Sequence, residues 1–264
     1  MMNLFRHELR VSRNATIIWT LSLSGLILFF MSMYPAISSD AKAFQNLLES
    51  YPQEVLVSLG ISLETITSLL GFYSYVFTYI VLCTSIQAVQ LGLQIISKES
   101  RDKTADFLLT KPVTRTSIIT AKLMAALVLI LITNGIFMVV ARFTLPLFSD
   151  QSFDTSTFLL ITSSSLWIAF FFLFIGMMAS ALLSPIKSVI ALSLSMVFGF
   201  FVFSMLGAVV GEETIRYFTP FHYYDTAYIL AHGTYEWDFV WIEVGLILVM
   251  GVLSYFLYRK KDIY

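Results

Sequence analysis

Six stretches of this chain stay apolar far longer than a helix or strand in the core of a soluble domain needs to. They run at about 16–35, 70–96, 118–143, 157–183, 186–210 and 239–258. As a helix rising 1.5 Å per residue, each is long enough to cross a hydrocarbon core roughly 30 Å thick. That core holds no water to bond the backbone, so each stretch must close its own hydrogen bonds as a helix. The sequence therefore predicts an all-α polytopic membrane protein with six transmembrane helices, forming one transmembrane domain over residues 1–264. Hydrophobic residues at 58% against charged residues at 12% agree with that class.

The positive charges set the orientation. Of the sixteen Lys and Arg, all but Lys42, Arg142 and Arg216 fall on segments that the six spans place on one side. By the positive-inside rule that side is the cytoplasm, which makes both termini cytoplasmic. Arg6, Arg10 and Arg13 ahead of the first span imitate a signal peptide, but the apolar run to Tyr34 is too long and lacks a small-residue cleavage site. Residues 1–15 predict an N-terminal interfacial helix, with Leu4, Phe5 and Leu9 on lipid and the arginines toward headgroups and water. Five prolines (Pro35, Pro112, Pro146, Pro185, Pro220) lie between spans or at their ends, and Pro52 lies in a loop. Trp19, Trp237 and Trp241 suit the two membrane interfaces.

Polar residues inside the spans are few and patterned. Cys83, Gln87, Gln90 and Gln94 share one face of the second span. Against lipid such a stripe is costly, so it predicts an interhelical seam first and a pathway lining second. Asn134 in the third span and Ser163, Ser164 and Ser165 in the fourth read the same way. Ala191, Ser195 and Gly199 repeat every four residues in the fifth span, as do Gly207 and Gly211, which permits close approach of another helix. Arg142 and Glu243, near the outer ends of their spans, are expected to snorkel.

Two outer segments are not simply polar. In 36–69, Phe44, Leu47, Leu48 and Tyr51 form one amphipathic helix and residues 54–61 a second short apolar element, fit to lie on the outer leaflet or to cap the bundle. In 211–238, Glu212, Glu213, His222, Asp225, His232, Glu236 and Asp238 accompany several tyrosines. No His-Glu-x-x-His occurs, and the two histidines lie ten residues apart among scattered acids, so no metal is expected and the charges read as solvated loop residues.

The chain carries no Gly-x-x-x-x-Gly-Lys-Ser/Thr phosphate cradle, no Gly-x-Ser-x-Gly and no acid pair or lysine expected to be buried mid-span. It is read as no enzyme, with no cofactor of its own. A net charge of −1 with no concentrated basic face argues against nucleic acid as a partner, and the single cysteine, Cys83, allows no disulfide framework. Any energy source must come from another polypeptide.

The most charged stretch, residues 97–115, lies between the second and third spans on the cytoplasmic side. Within it Ala105, Leu108 and Leu109 fall on one helical face with Phe107 beside them, while Asp102, Lys103 and Asp106 point elsewhere, and Pro112 ends the pattern. The stretch resembles the loop between the second and third spans of permease subunits of the ABC-2 class of ATP-binding-cassette transporters. Glu99, Thr104, Leu108, Leu109, Pro112, Val113, Arg115 and Lys122 fill that family's pattern, while Lys103 stands where the family usually has glycine.

The resemblance implies a cytoplasmic coupling helix that docks an ABC ATPase subunit, which would bind the ATP. Phe107 and Leu108 would be its buried knob and Glu99 and Arg115 its polar frame, with Arg101, Asp102, Thr104, Asp106, Leu109 and Pro112 completing the surface. It also implies a second permease chain in a homo- or heterodimer, two short re-entrant helices in 211–238, and a multi-pass place in a cell membrane, expected to be a bacterial plasma membrane. Walls rich in Phe and Leu fit an amphiphile such as a lipid, peptide or antibiotic, and the family points to export. Two rival readings stand beside this: a polytopic enzyme acting on lipids through His222, His232 and Asp225, and a membrane anchor or regulatory subunit with no pathway.

Overall fold

The structure is a computed structural model and describes residues 2–101, 114–183, 186–211 and 213–260. Among these, helices account for every regular element: α1 (Met2–Met31), α2 (Tyr34–Ser39), α3 (Ala41–Glu49), α4 (Gln53–Ser58), α5 (Leu69–Arg101), α6 (Arg115–Phe148), α7 (Thr155–Leu182), α8 (Val189–Val210), α9 (Glu213–Arg216), a single 3₁₀ turn (Pro220–His222), α10 (Thr226–His232) and α11 (Trp237–Lys260). Six of them, α1, α5, α6, α7, α8 and α11, are long and apolar enough to cross a membrane.

Contacts between distant residues give the helix directions. At one end Tyr34 Oη donates to the Thr67 carbonyl and to Gln151, each at 3.1 Å, and Tyr73 meets Thr162 at 2.7 Å. At the other end Lys122 Nζ donates to the Ile95 carbonyl at 2.9 Å, Ser180 Oγ to the Leu93 carbonyl at 2.8 Å, and Thr120 meets Tyr255 at 2.6 Å. The long helices therefore alternate in direction along the chain, with α1, α6 and α8 running one way and α5, α7 and α11 the other. The first end, which also carries α2–α4 and α9–α10, is the cap end. The second, which carries Arg6, Arg10, Arg13, Arg115 and Arg259, is the basic end.

Helix α5 is the centre of the bundle, and α7 lies along it. A methyl group on Gly92 would stand 2.2 Å from the Leu173 carbonyl oxygen and 2.8 Å from the Met177 nitrogen. A methyl group on Gly176 would stand 2.6 Å from the Val89 carbonyl oxygen. The two glycines thus let backbone touch backbone, with no side chain between the helices, and lipid-solvated helices associate through such packing rather than through expulsion of water. Helix α6 and α1 pack side by side, α11 covers α7, and α8 lies against α5 beneath the short α4.

The six long helices overlap the stretches that hydropathy marks; α5, α6 and α11 extend beyond both expected ends, whereas α1 stops at Met31 and α8 starts only at Val189. Residues 2–15 are not a separate interfacial helix: they are the first turns of an unbroken α1 of 30 residues. No proline or glycine interrupts the join, and Thr16 Oγ1 bonds back to the Ser12 carbonyl at 3.0 Å across it. Pro146 lies inside the last turn of α6 rather than beyond it, so the carbonyl it leaves without a donor is that of Arg142, next to the helix end. The segment 36–69 forms a cap. Leu48 and Leu56 are buried, Gln45 Nε2 donates to the Leu63 carbonyl at 3.2 Å, and Leu47 and Tyr51 are exposed.

Gly92→Ala or Gly176→Ala should force α5 and α7 apart and lower stability by about 1–3 kcal/mol, the usual range for overpacking. Gly135, whose added methyl would meet nothing within 4 Å, provides the control: Gly135→Ala should leave stability unchanged or raise it by up to about 1 kcal/mol. Thermal unfolding of the detergent-purified variants checks both.

Candidate functional site

Polar groupings interrupt the apolar bundle at the basic end, at mid-height and at the cap end. At the basic end, α5 and α6 flank residues 102–113. Thr114 caps α6, its Oγ1 accepting from the Ser117 nitrogen at 3.2 Å, and Arg115 is half-buried in the first turn. Lys122 is 3% exposed and donates into the last turns of α5 through the Ile95 carbonyl. A lysine expected at the membrane surface is thus a buried stitch between the two helices that carry the charged loop. Its tetramethylene stem lets the ammonium reach a backbone carbonyl of the adjacent helix. Of the residues expected to dock an ATPase, Glu99 and Arg101 lie on the last turn of α5 and Arg115 on the first of α6. The others, Asp102, Thr104, Asp106, Phe107, Leu108, Leu109 and Pro112, lie outside the described residues, as do the side chains of Glu99 and Arg101.

At mid-height the glutamine face of α5 meets its neighbours. Gln87 is buried, and its Nε2 donates to Thr133 Oγ1 at 3.0 Å; that hydroxyl also lies 3.5 Å from Thr20 Oγ1, so α1, α5 and α6 share one small network. Asn134 turns the other way: its Nδ2 donates to the Ile130 carbonyl at 3.0 Å and its Oδ1 accepts from Ser165 Oγ at 2.7 Å, tying α6 to α7. Gln90 and Gln94 are half-buried, and Gln94 borders a small groove with Glu8, Ser12 and Lys122. Gln87 and Asn134 thus each bond to a neighbouring helix.

At the cap end, residues expected to be solvated are built into a folded hairpin. After α8 ends at Gly211, which has a φ of 69° that favours glycine, the chain enters α9, the 3₁₀ turn and α10, then turns at Gly233 into α11. Arg216 holds this hairpin. Its Nη1 donates to Glu236 Oε2 at 2.9 Å, Nη2 donates to Glu236 Oε1, Nε donates to the His222 carbonyl at 3.2 Å, and the guanidinium lies 4.2 Å from the Phe239 ring centre. A fork-to-fork ion pair stacked on an aromatic face is a geometry only arginine makes. The residues Tyr223 and Tyr224 are buried; Tyr223 Oη donates to the Tyr217 carbonyl at 2.6 Å and Tyr224 Oη to Glu243. Burial, with Glu243 beside it, raises the Tyr224 phenol well above its ordinary range, so the tyrosine is the donor.

Glu243 does not snorkel. It is fully buried, because the hairpin folds Tyr224 over it; Oε2 accepts the phenol, and Oε1 is the buried side-chain oxygen left without a partner among the described residues. Arg142 is also drawn inward, lying 5.1 Å from the Phe153 ring centre. With Lys122 and Glu243 both buried, the spans enclose more ionisable groups than their sequence positions suggest. His222 is sequestered, and burial holds its imidazole below the usual range, aided by Arg216 and opposed by Asp225, so it is neutral at pH 7. His232 is exposed and stacks on Tyr228 at 4.1 Å, and Asp225 caps α10 through the Ala227 nitrogen at 2.8 Å. No group of three His, Cys, Asp or Glu able to hold a metal occurs among the described residues.

Between the cap and the hairpin lies a cavity of about 630 Å³. Its walls come from the turn after α4, the faces of α5, α7 and α8 nearest the cap end, and the hairpin itself. Ser164, one of the three clustered serines, lines it, whereas Ser165 belongs to the Asn134 seam.

Against known families, the model described as ABC-2 family transporter protein matches residues 2–263, essentially the whole chain. Among curated proteins no match is found.

Arg216→Met should leave the Glu236 carboxylate half-buried and unpaired, and loosen the hairpin by about 1–3 kcal/mol, the range for losing a charged hydrogen-bond partner. Hydrogen exchange of residues 213–236 should rise while that of α5 and α7 stays unchanged.

Proposed function

Because the chain belongs to the ABC-2 family of transporter proteins, we propose that it is the permease subunit of an ABC transporter, driven by ATP hydrolysed on a separate ATPase subunit. Family members generally work with such a subunit. On this reading the basic end faces the cytoplasm, both termini with it, and the cap end faces out. A second permease chain completes the transporter. The substrate is an amphiphile such as a lipid, peptide or antibiotic, moved outward.

The observation that carries the proposal is the construction of the basic end. Helices α5 and α6 are 33 and 34 residues long. At about 1.5 Å per residue each is some 50 Å long, well beyond a hydrocarbon core of about 30 Å. They lead to and from the charged stretch 102–113, and Lys122 binds one to the other through the Ile95 carbonyl. A load applied to the loop between them is shared by both. From α5 it passes to α7 through the glycine contact, where no flexible side chain can absorb it. In this mechanism the ATPase grips the face made by Phe107, Leu108 and Leu109, framed by Glu99, Arg101, Asp102, Thr104, Asp106, Pro112 and Arg115. Its nucleotide-driven motion tilts the α5–α6 pair, and the tilt reaches the hairpin at the cap end.

Two measurements test this. A tagged chain purified from mild detergent should carry an ABC ATPase with it, and paired Leu108→Asp and Leu109→Asp substitutions should abolish that capture and the coupled transport while leaving the chain in the membrane. Undiminished transport by the double variant would refute the docking role. Lys122→Met keeps the stem and removes the stitch, so it should retain the ATPase yet lower substrate-stimulated hydrolysis at least tenfold; a subunit that merely anchors an ATPase would show no such stimulation in either form.

A further inference from the structure

The cavity at the cap end has a composition that goes beyond the permease reading. At about 630 Å³ it falls in the size range of pockets for drug-sized molecules. Its apolar wall is aromatic: Phe77 from α5, Phe201 from α8, Phe221 from the 3₁₀ turn and Tyr224 behind it. Phe201 and Phe221 stand edge to face, 5.5 Å apart at 85°. The Tyr224 hydroxyl is committed to Glu243, so this residue has its ring to offer and not its polar tip.

The ionic residues of the lining are Glu64, Asp225 and Arg216. Arg216 is engaged by both oxygens of Glu236 and by Phe239, so it has little charge left to give. Glu64 has no ion-pair partner among the described residues. Asp225 spends Oδ1 on the Ala227 nitrogen, and no hydrogen bond falls on its Oδ2. The lining thus presents two unneutralised carboxylates and several aromatic rings to a space large enough for one organic molecule. An organic anion would be repelled, and a neutral molecule would leave the carboxylates unused. A bulky cation with a diffuse, weakly hydrated charge satisfies both features, through attraction to the ring faces and to the carboxylates.

We propose that this cavity, contained within a single chain, binds a lipophilic organic monocation of about the size of a quaternary ammonium or phosphonium bearing several apolar groups. Binding is a property of the chain alone and requires no ATPase.

Tetraphenylphosphonium and tetraphenylborate have nearly the same shape and opposite charge, which makes them the probes. With the full chain in phospholipid nanodiscs and no ATPase present, radiolabelled tetraphenylphosphonium should bind saturably at one site per chain, above its partition into empty nanodiscs, whereas tetraphenylborate, measured in a separate titration, should show partition only. Glu64→Gln alters an exposed side chain and Asp225→Asn preserves a helix cap, so the double variant should fold and bind the cation at least tenfold more weakly. Ala208→Phe, which fills the cavity from α8, should abolish saturable binding. Equal saturable binding of both ions, no saturable binding of the cation, or full cation affinity in a folded double variant would each overturn the proposal. Because the assay contains no ATPase, those outcomes leave the permease reading standing, and failure to capture an ATPase leaves this one standing.

Discussion

The contact between Gly92 and Gly176 is the constraint on which the bundle depends. In water, two apolar helices are driven together by the surface they remove from solvent; in lipid that drive is absent, since acyl chains solvate leucine as well as leucine does. What remains is close packing and hydrogen bonding. At Gly92 the approach is so close that a single methyl would sit 2.2 Å from a carbonyl oxygen. The same proximity allows Ser180 to donate to the Leu93 carbonyl at 2.8 Å. The remaining long helices are laid on this pair, α1 and α6 to one side, α8 to another, α11 over α7.

Around that pair, polar groups among the described residues form short networks between helices. Gln87 with Thr133 and Thr20, Asn134 with Ser165, and Lys122 with the Ile95 carbonyl each join different helices at different heights. A buried polar side chain in hydrocarbon has no solvent to fall back on, so each of these bonds selects one arrangement of its helices. Among the described residues Glu243 is the exception, with one oxygen bonded and one bare. Its burial follows from the hairpin above it, which Arg216 and Glu236 fasten to the start of α11.

The six spans and their order were legible because length and apolarity suffice to recognise a membrane helix. For Gln87 the signal was the spacing that sets it on one face with Gln90 and Gln94, and for Asn134 a polar amide in an apolar span; lipid would penalise either. The cap formed by 36–69 was legible as one of two homes for an amphipathic segment, and the burial of Leu48 and Leu56 decides for the bundle. What escaped were pairings across spans. Gly92 and Gly176 each sit alone in a long apolar run, and nothing local to either says that the other is its partner. Lys122 and Glu243 lie near span ends, where snorkelling is the ordinary expectation; only the fold shows a carbonyl within reach of one and a tyrosine lying over the other. Arg216 and Glu236 are twenty residues apart in a segment whose acids and histidines look dispersed until the hairpin closes. The face expected to dock an ATPase rests mainly on residues 102–113 and on the family pattern; of that neighbourhood the fold describes the helix ends that carry Glu99, Arg101, Thr114 and Arg115, and Lys122.

One row of residues on α8 is left uncovered by the rest of the described residues. Ala191, Ser195 and Gly199 are exposed along α8, and a methyl added at Gly199 would meet nothing within 4 Å. Along one flank of them Ile190, Leu194 and Phe198 are exposed as well, so the row is a shallow furrow beside a ridge. A furrow of this kind carries shape without holding the fold together: bulk placed in it disturbs no neighbour in its own molecule, and its contour is felt only by whatever slides against α8 from outside.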